Sequence, residues 1–123
     1  MIIDGLEDFY DRLPQHELEL TLMLQKIIKT TLPQSTGYIH HEVLFFSIET
    51  PVCFLWPSSI PIPNAPEDFE GVRIGFTRGQ CIKDPTYYLT NQGQKLVFWK
   101  DIEYVEDIDQ ESIKSFLLQS IEI

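Results

Sequence analysis

Basic residues, cysteines and long apolar runs are all scarce in this sequence of 123 residues. Nine Lys and Arg stand against 19 Asp and Glu, which gives a formal net charge of −10. A chain so poor in cations is unsuited to replace the counterions of nucleic acid or to bind an anionic membrane surface. No run of about 18 apolar residues occurs, so we expect neither a nucleic-acid partner nor a membrane-spanning helix.

Export signals are missing as well. The N-terminal segment MIIDGLEDFYDRLP is acidic and has no basic region ahead of an apolar one, so it is not typical of a secretory signal. The two cysteines, Cys53 and Cys81, lie in apolar stretches that resemble strands. We therefore expect two buried, unpaired thiols in a reducing compartment. Length and composition predict one cytoplasmic domain over residues 1–123.

Catalytic signatures are also absent. The sequence contains no GxSxG, Walker A or GxGxxG motif. Cys53 and Cys81 have apolar neighbours, and an apolar environment keeps a thiol protonated and unreactive. Ser58 and Ser59 lie in a proline-rich stretch with no base close to them in the sequence. We therefore expect that the protein is not an enzyme.

Both ends of the chain have helical periodicity. Apolar residues at spacings of three and four predict helices over Ile2–Leu13 and Gln15–Leu32. Near the C-terminus, Asp109 is a candidate N-cap, and Ile108 and Ile113 on either side of it fit a hydrophobic staple. The sequence therefore predicts a third helix that starts at Asp109.

The middle of the chain is typical of strands. Val43–Ile48 and Val52–Trp56 predict a hairpin, and Val72–Thr77 alternates as a half-buried strand does. Leu96–Ile102 predicts a further strand, and the prolines within Pro57–Glu70 predict a loop. Segregated helices around a meandering sheet are typical of the α+β class.

Several segments resemble one known family. The stretch Ile74–Pro85, IGFTRGQCIKDP, is similar to the strand-Gly-turn-Asp-Pro signature of the YdhG-like family, domain of unknown function 1801. The run Val105–Ile113 resembles its closing turn and helix, and Leu13-Pro14 followed by a helix up to Pro33 resembles its N-terminal half. The resemblance covers most of the chain.

The resemblance implies both a fold and a function. It implies an antiparallel sheet packed by N-terminal helices and one C-terminal helix. Some members of the family are described as frataxin-like iron chaperones for iron–sulfur assembly, so it implies a non-enzymatic protein with weak iron binding and a protein partner. Two departures bear on any shared pocket. Glu42–Phe46 replaces the family's Tyr-Gly-x-Pro-type turn, and the Pro57–Glu70 loop is longer than the family's connection.

The candidate metal ligands are four acids near the N-terminus: Asp4, Glu7, Asp8 and Asp11. On a helix, three of them lie along one face with Glu7 beside them. Carboxylates suit iron, manganese, magnesium or calcium. The alternative is a solvated helix face, where acids near the N-terminus favour the helix dipole.

Two further sets bear on ligands. Adjacent histidines on a strand point to opposite faces, so we expect no metal shared by His40 and His41. Basic residues interleaved with aromatic ones favour a small anionic or planar ligand, for which Arg78, Lys95 and Trp99 are the candidate residues. The second functional hypothesis is therefore an interaction module or a small-ligand-binding domain. Cross-strand pairing with neighbouring acids would explain the same cations without a ligand.

Overall fold

The computed structural model describes residues 5–61 and 69–122, and it has the predicted α+β architecture. The elements of the described residues follow in chain order: α1 (Leu6–Asp11), α2 (Gln15–Thr31), β1 (Thr36–His40), β2 (Val43–Ile48), β3 (Thr50–Pro57), β4 (Val72–Phe76), β5 (Phe98–Ile102) and α3 (Gln110–Ile121). Short 3₁₀ turns occupy Gly79–Cys81 and Val105–Asp107.

The five strands form one antiparallel meander, because their order in the sheet is their order in the chain. A bulge between Phe46 and Ser47 shifts the register of β2 on β3. None of the described helices has the length and apolar character needed to cross a bilayer. The α+β class and the antiparallel sheet are thus both confirmed.

The hydrophobic core lies between α2, α3 and one face of the sheet. Phe76 of β4 meets Phe116 of α3 edge to face, with ring centroids 5.6 Å apart. Buried apolar side chains from both layers fill the rest, among them Leu24, Ile28, Leu44, Leu55, Ile74, Ile102, Ile113 and Leu117. Burial on this scale is the main term that stabilises a domain of this size.

Several elements differ from their predictions at the ends. The first helix begins only after Gly5, whose φ of 98° makes it a left-handed N-cap. Asp4, one of the four predicted metal ligands, lies outside the described residues. Strand β5 begins at Phe98, two residues after the predicted start, since Leu96 is exposed and its carbonyl accepts instead from the Gly79 amide.

Two burial predictions are wrong. Strand β4 is buried at all five positions and not at alternate ones, because aromatic side chains cover its second face. Cys53 is buried as expected, but Cys81 is exposed. The physical reason is local, since Cys81 ends a 3₁₀ turn after Gly79 and is not part of a strand.

Candidate functional site

The sheet face turned away from α2 and α3 carries a row of aromatic side chains, which we call the aromatic face. The strand register aligns five of its residues across the sheet: Tyr38, Phe45, Phe54, Gly75 and Trp99. The rings of Tyr38 and Phe45 stack with centroids 6.0 Å apart, and those of Phe45 and Phe54 lie 5.4 Å apart. A continuous aromatic surface therefore crosses β1, β2 and β3.

Beside this row, Arg73 is only 5% exposed. Its guanidinium carbon lies 5.3, 4.2 and 4.8 Å from the ring centroids of Trp56, Phe69 and Trp99. Arg73 Nε and Nη2 donate to the two carboxylate oxygens of Asp101 at 2.7 and 3.1 Å. The planar fork matches a carboxylate, and aromatic faces attract the cation. Arg73 is thus held by its neighbours, and we call this set the arginine clamp.

Trp99 belongs to the arginine clamp, where its ring packs against the Arg73 guanidinium. It is not among the residues that line the long hollow described next. It is 6% exposed, and its indole Nε1 has no hydrogen-bond partner among the described residues. The predicted role of Trp99 in holding a ligand therefore has no geometric support, and packing on Arg73 explains its position.

A hollow of about 730 Å³ opens at the edge of the aromatic face, and we call it the long hollow. Ten residues line it: His40, His41, Phe45, Thr50, Pro51, Thr77, Arg78, Gln80, Cys81 and Leu96. His40 pairs with Val43 at one end of β2, and Thr50 pairs with Ile48 at the other. The long hollow therefore runs along the strand direction.

The lining of the long hollow contains no Asp or Glu among the described residues, although the chain has 19. Arg78 supplies a fixed cation, and its Nη2 donates to Thr50 Oγ1 at 3.2 Å. Thr77 Oγ1 donates to the Pro51 carbonyl at 2.6 Å. Phe45 contributes an aromatic ring to the same lining. An apolar surface with a few convergent polar groups is typical of a small-molecule site.

The histidine end of the long hollow is formed by the β1–β2 turn. His41 and Glu42 both have positive φ, 51° and 66°, as the two central residues of a type I′ hairpin turn require. The prediction that adjacent histidines point apart is wrong here, because His41 lies in the turn and its ring is 4.0 Å from that of His40. Glu42 instead forms an ion pair with Arg12 at 3.6 Å.

The three predicted ligand-binding residues are not brought together. Arg78 lines the long hollow, Trp99 belongs to the arginine clamp, and Lys95 is exposed and lines neither. The sequence reasoning missed His40, His41 and Leu96. The signal for the first two was weak, because the segment before them was not assigned as a strand and the β1–β2 hairpin turn was therefore not predicted.

The predicted metal ligands Glu7, Asp8 and Asp11 are exposed on α1, and Asp4 lies outside the described residues. Within residues 5–61 and 69–122, no three His, Cys, Asp or Glu side chains lie close enough to hold a metal ion. The described part of the chain thus supplies no complete metal site. Iron binding by the four acids stays a prediction.

The two thiols differ sharply in environment. Cys53 of β3 is fully buried, and burial raises its pKa, so it stays protonated at neutral pH. Cys81 is exposed and lines the long hollow, beside the Arg78 end. A thiol reagent can therefore reach Cys81 in the candidate site, whereas Cys53 in the core is protected from it.

Comparison with family models, with curated proteins and with solved structures finds no match for this chain. Function is therefore inferred from the residues that line the long hollow, and the YdhG-like resemblance stays a prediction.

Proposed function

We propose that this chain is a non-enzymatic binding domain and that it takes a small anion with an aromatic or apolar body in the long hollow. The single observation that carries the proposal is the charge of the lining. It holds Arg78 and two histidines but no acid among the described residues, in a chain of net charge −10.

Electrostatics supports an anionic ligand. Charges within about 8 Å act on one another with little screening at physiological salt. The chain as a whole is strongly acidic, whereas the lining of the long hollow includes the Arg78 guanidinium and no carboxylate among the described residues. A guanidinium also offers a planar pair of N–H donors that fits a carboxylate or phosphate.

The apolar part of the hollow supports an aromatic or aliphatic body on that anion. The Phe45 ring lies 5.6 Å from the His40 ring, nearly perpendicular to it, and Leu96 and Pro51 add aliphatic surface. The volume of about 730 Å³ lies inside the range typical of small-ligand sites, roughly 300–1,000 Å³. A ring stacked near Phe45 would leave its anionic group free to reach Arg78.

A thermal-shift panel tests the proposal. The probes are phenyl phosphate and benzoate as aromatic anions, benzyl alcohol as the neutral analogue and benzylamine as the cation. We expect stabilisation by the anions that grows as RT ln(1 + [L]/Kd) and little effect of the other two. Arg78→Gln should lose the response, whereas Lys95→Gln, the same change of charge outside the hollow, should keep it. An equal response to the anions and to benzyl alcohol, or no response to either, would contradict the proposal.

We also propose that the chain belongs to the YdhG-like family and that it is cytoplasmic. The family proposal is supported by the order of the three similar segments along the chain, and the location proposal by the expectation of unpaired cysteines in a reducing compartment. The iron-handling role that the resemblance implies would use the four acids near the N-terminus, none of which is among the described residues that line the long hollow. Calorimetric titration of Fe²⁺ into the wild type and into a variant with all four acids replaced by amides separates the two roles.

A further inference from the structure

A second concave surface lies on the opposite side of the molecule, between the two long helices. Its volume is about 520 Å³. We call it the helix groove, and its lining residues are Met23, Lys26, Ile27 and Thr30 of α2 with Val105, Ile108, Gln110 and Lys114. It shares no residue with the long hollow.

The charge of the helix groove is unusual for this chain. Lys26 on α2 and Lys114 on α3 line the same cavity, and no Asp or Glu does among the described residues. Neither ammonium group forms an ion pair or a hydrogen bond with a described residue. Glu111, the acid closest to Lys114 on α3, lines a separate cavity with Lys83 and Asp84. Two like charges that face one cavity without a carboxylate between them favour an anionic occupant.

Exposed apolar side chains accompany the lysines. Met23 is 41% exposed and Val105 is 46% exposed, and both line the groove. Leu118, one turn beyond Lys114 on the same flank of α3, is 47% exposed. The exposed apolar residues therefore form a stripe that Lys114 interrupts and that extends past the cavity. Gln110 and Leu118 lie about 12 Å apart along α3, at roughly 1.5 Å per residue.

The extent of this stripe decides what kind of occupant fits. A small molecule that fills the cavity would leave Leu118 uncovered, whereas an amphipathic helix reaches along a stripe of this length. From these observations we infer that the helix groove docks an acidic amphipathic helix of a partner protein. Apolar residues of that helix, at spacings of three, four and seven, cover Met23, Val105 and Leu118. Its carboxylates lie between Lys26 and Lys114.

The acids around the groove set where the partner's charges can lie. Glu19, one turn before Met23 on the same flank of α2, is exposed and accepts a hydrogen bond from Gln15 at 3.0 Å. Glu106 is exposed next to Val105, and the Asp107 carboxylate accepts from the Tyr104 amide at 2.9 Å. The Val105 end is thus acidic, so the partner's carboxylates belong at the lysines and its apolar residues at Met23 and Val105.

Fluorescence anisotropy with two matched peptides tests the inference. Both are amphipathic helices of about 14 residues, long enough to follow the stripe. One carries Glu at the positions that face the lysines, and the other carries Lys there. We expect the Glu peptide to bind the full chain with far higher affinity than the Lys peptide. Its affinity should fall as the salt concentration is raised.

Variants then separate docking from general charge effects. The double variant Lys26→Gln, Lys114→Gln should bind the Glu peptide about tenfold more weakly. The control is the double variant Lys83→Gln, Lys95→Gln, which changes two exposed lysines elsewhere and should leave the affinity unchanged. Equal binding of the two peptides, or equal loss in both double variants, would overturn the inference. So would a dimer, seen by sedimentation, that depends on Lys26 and Lys114, since a second copy would then cover the groove.

Discussion

The ring of Phe54 occupies the space in which a Cβ atom on Gly75 would lie. Such an atom would stand 2.1 Å from Cζ of Phe54 and 2.3 Å from its Cε2. The two residues are partners across β3 and β4, and Phe54 also contacts Phe45. A glycine inside a buried strand is explained by this close approach, which continues the aromatic face from β3 onto β4.

Gly75→Ala should therefore lower the free energy of unfolding by about 1–3 kcal/mol, because the ring must move away from its place beside Phe45. Urea denaturation followed by circular dichroism measures the loss. Gly37→Ala is the control, since its Cβ would stand 3.1 Å from Phe46 and needs a smaller adjustment. In a Phe54→Ala background, Gly75→Ala should cost much less. A loss of equal size in both backgrounds would contradict the close approach.

The arginine clamp yields the second prediction. Arg73→Met removes the partner of Asp101, whose carboxylate is about one third exposed, and should destabilise the fold by about 2–4 kcal/mol. Arg73→Lys should recover only part of this loss, because a single ammonium cannot bind both carboxylate oxygens and stack between the rings. Both tryptophans of the chain, Trp56 and Trp99, flank Arg73, so intrinsic fluorescence should change in both variants. An unchanged emission spectrum together with an unchanged urea midpoint would mean that the clamp is not formed.

The β1–β2 turn should accept a better turn sequence. His41 and Glu42 adopt positive φ, which costs non-glycine residues free energy, and Asn-Gly is the preferred pair for this turn. Replacing them with Asn and Gly should raise the free energy of unfolding by about 1 kcal/mol. Loss of the exposed Arg12–Glu42 ion pair should reduce this gain by a few tenths of a kcal/mol. Urea denaturation measures the gain. The reversed pair, Gly-Asn, is a matched control and should gain less; destabilisation by Asn-Gly would show that the turn has another geometry.

The N-cap of α3 should make stability depend on acid. Hydrogen bonds from the hydroxyl and the backbone amide of Ser112 lower the pKa of Asp109 in the folded state. A lowered folded-state pKa means that the carboxylate stabilises the fold above the ordinary Asp pKa of about 3.9 and loses that effect as pH falls through the folded-state value.

Asp109→Asn should accordingly lower the melting temperature at pH 7, and the gap to the wild type should close below about pH 4. Thermal melts at a series of pH values measure it. Ser112→Ala removes only the hydroxyl donor and should give part of the effect at neutral pH. A gap that stays constant from pH 7 to pH 3 would rule out Asp109 as the titrating cap.

The fold was largely predictable because its strongest signals are local. Helix α2, the β2–β3 hairpin and the cap at Asp109 each follow from residues within one segment, and the structure confirms them. Strand β1 was not assigned, since Gly37 and two histidines weaken its pattern. The burial of Arg73 could not be predicted from its neighbours in the sequence, because its partners come from several separate segments of the chain.

The candidate site was less predictable for the same reason. The basic and aromatic character of the sheet predicted a ligand role for Arg78, which lines the long hollow, but that lining joins residues up to 56 positions apart. Lys95 and Trp99 carry the right chemistry and point elsewhere in the fold. Cys81 was expected inside the core because its apolar neighbours suggested a strand, whereas Gly79 turns the chain outward.

Thiol labelling of Cys81 is the most direct test of the long hollow as a ligand site. Cys53 is buried with a raised pKa, so in the native wild type only Cys81 should react quickly with a neutral thiol reagent, and both should react after denaturation. We predict that phenyl phosphate slows the reaction of Cys81 in a saturable manner. Arg78→Gln should abolish this protection and Lys95→Gln should retain it. Labelling of Cys81 that stays equally fast at every phenyl phosphate concentration would contradict the account.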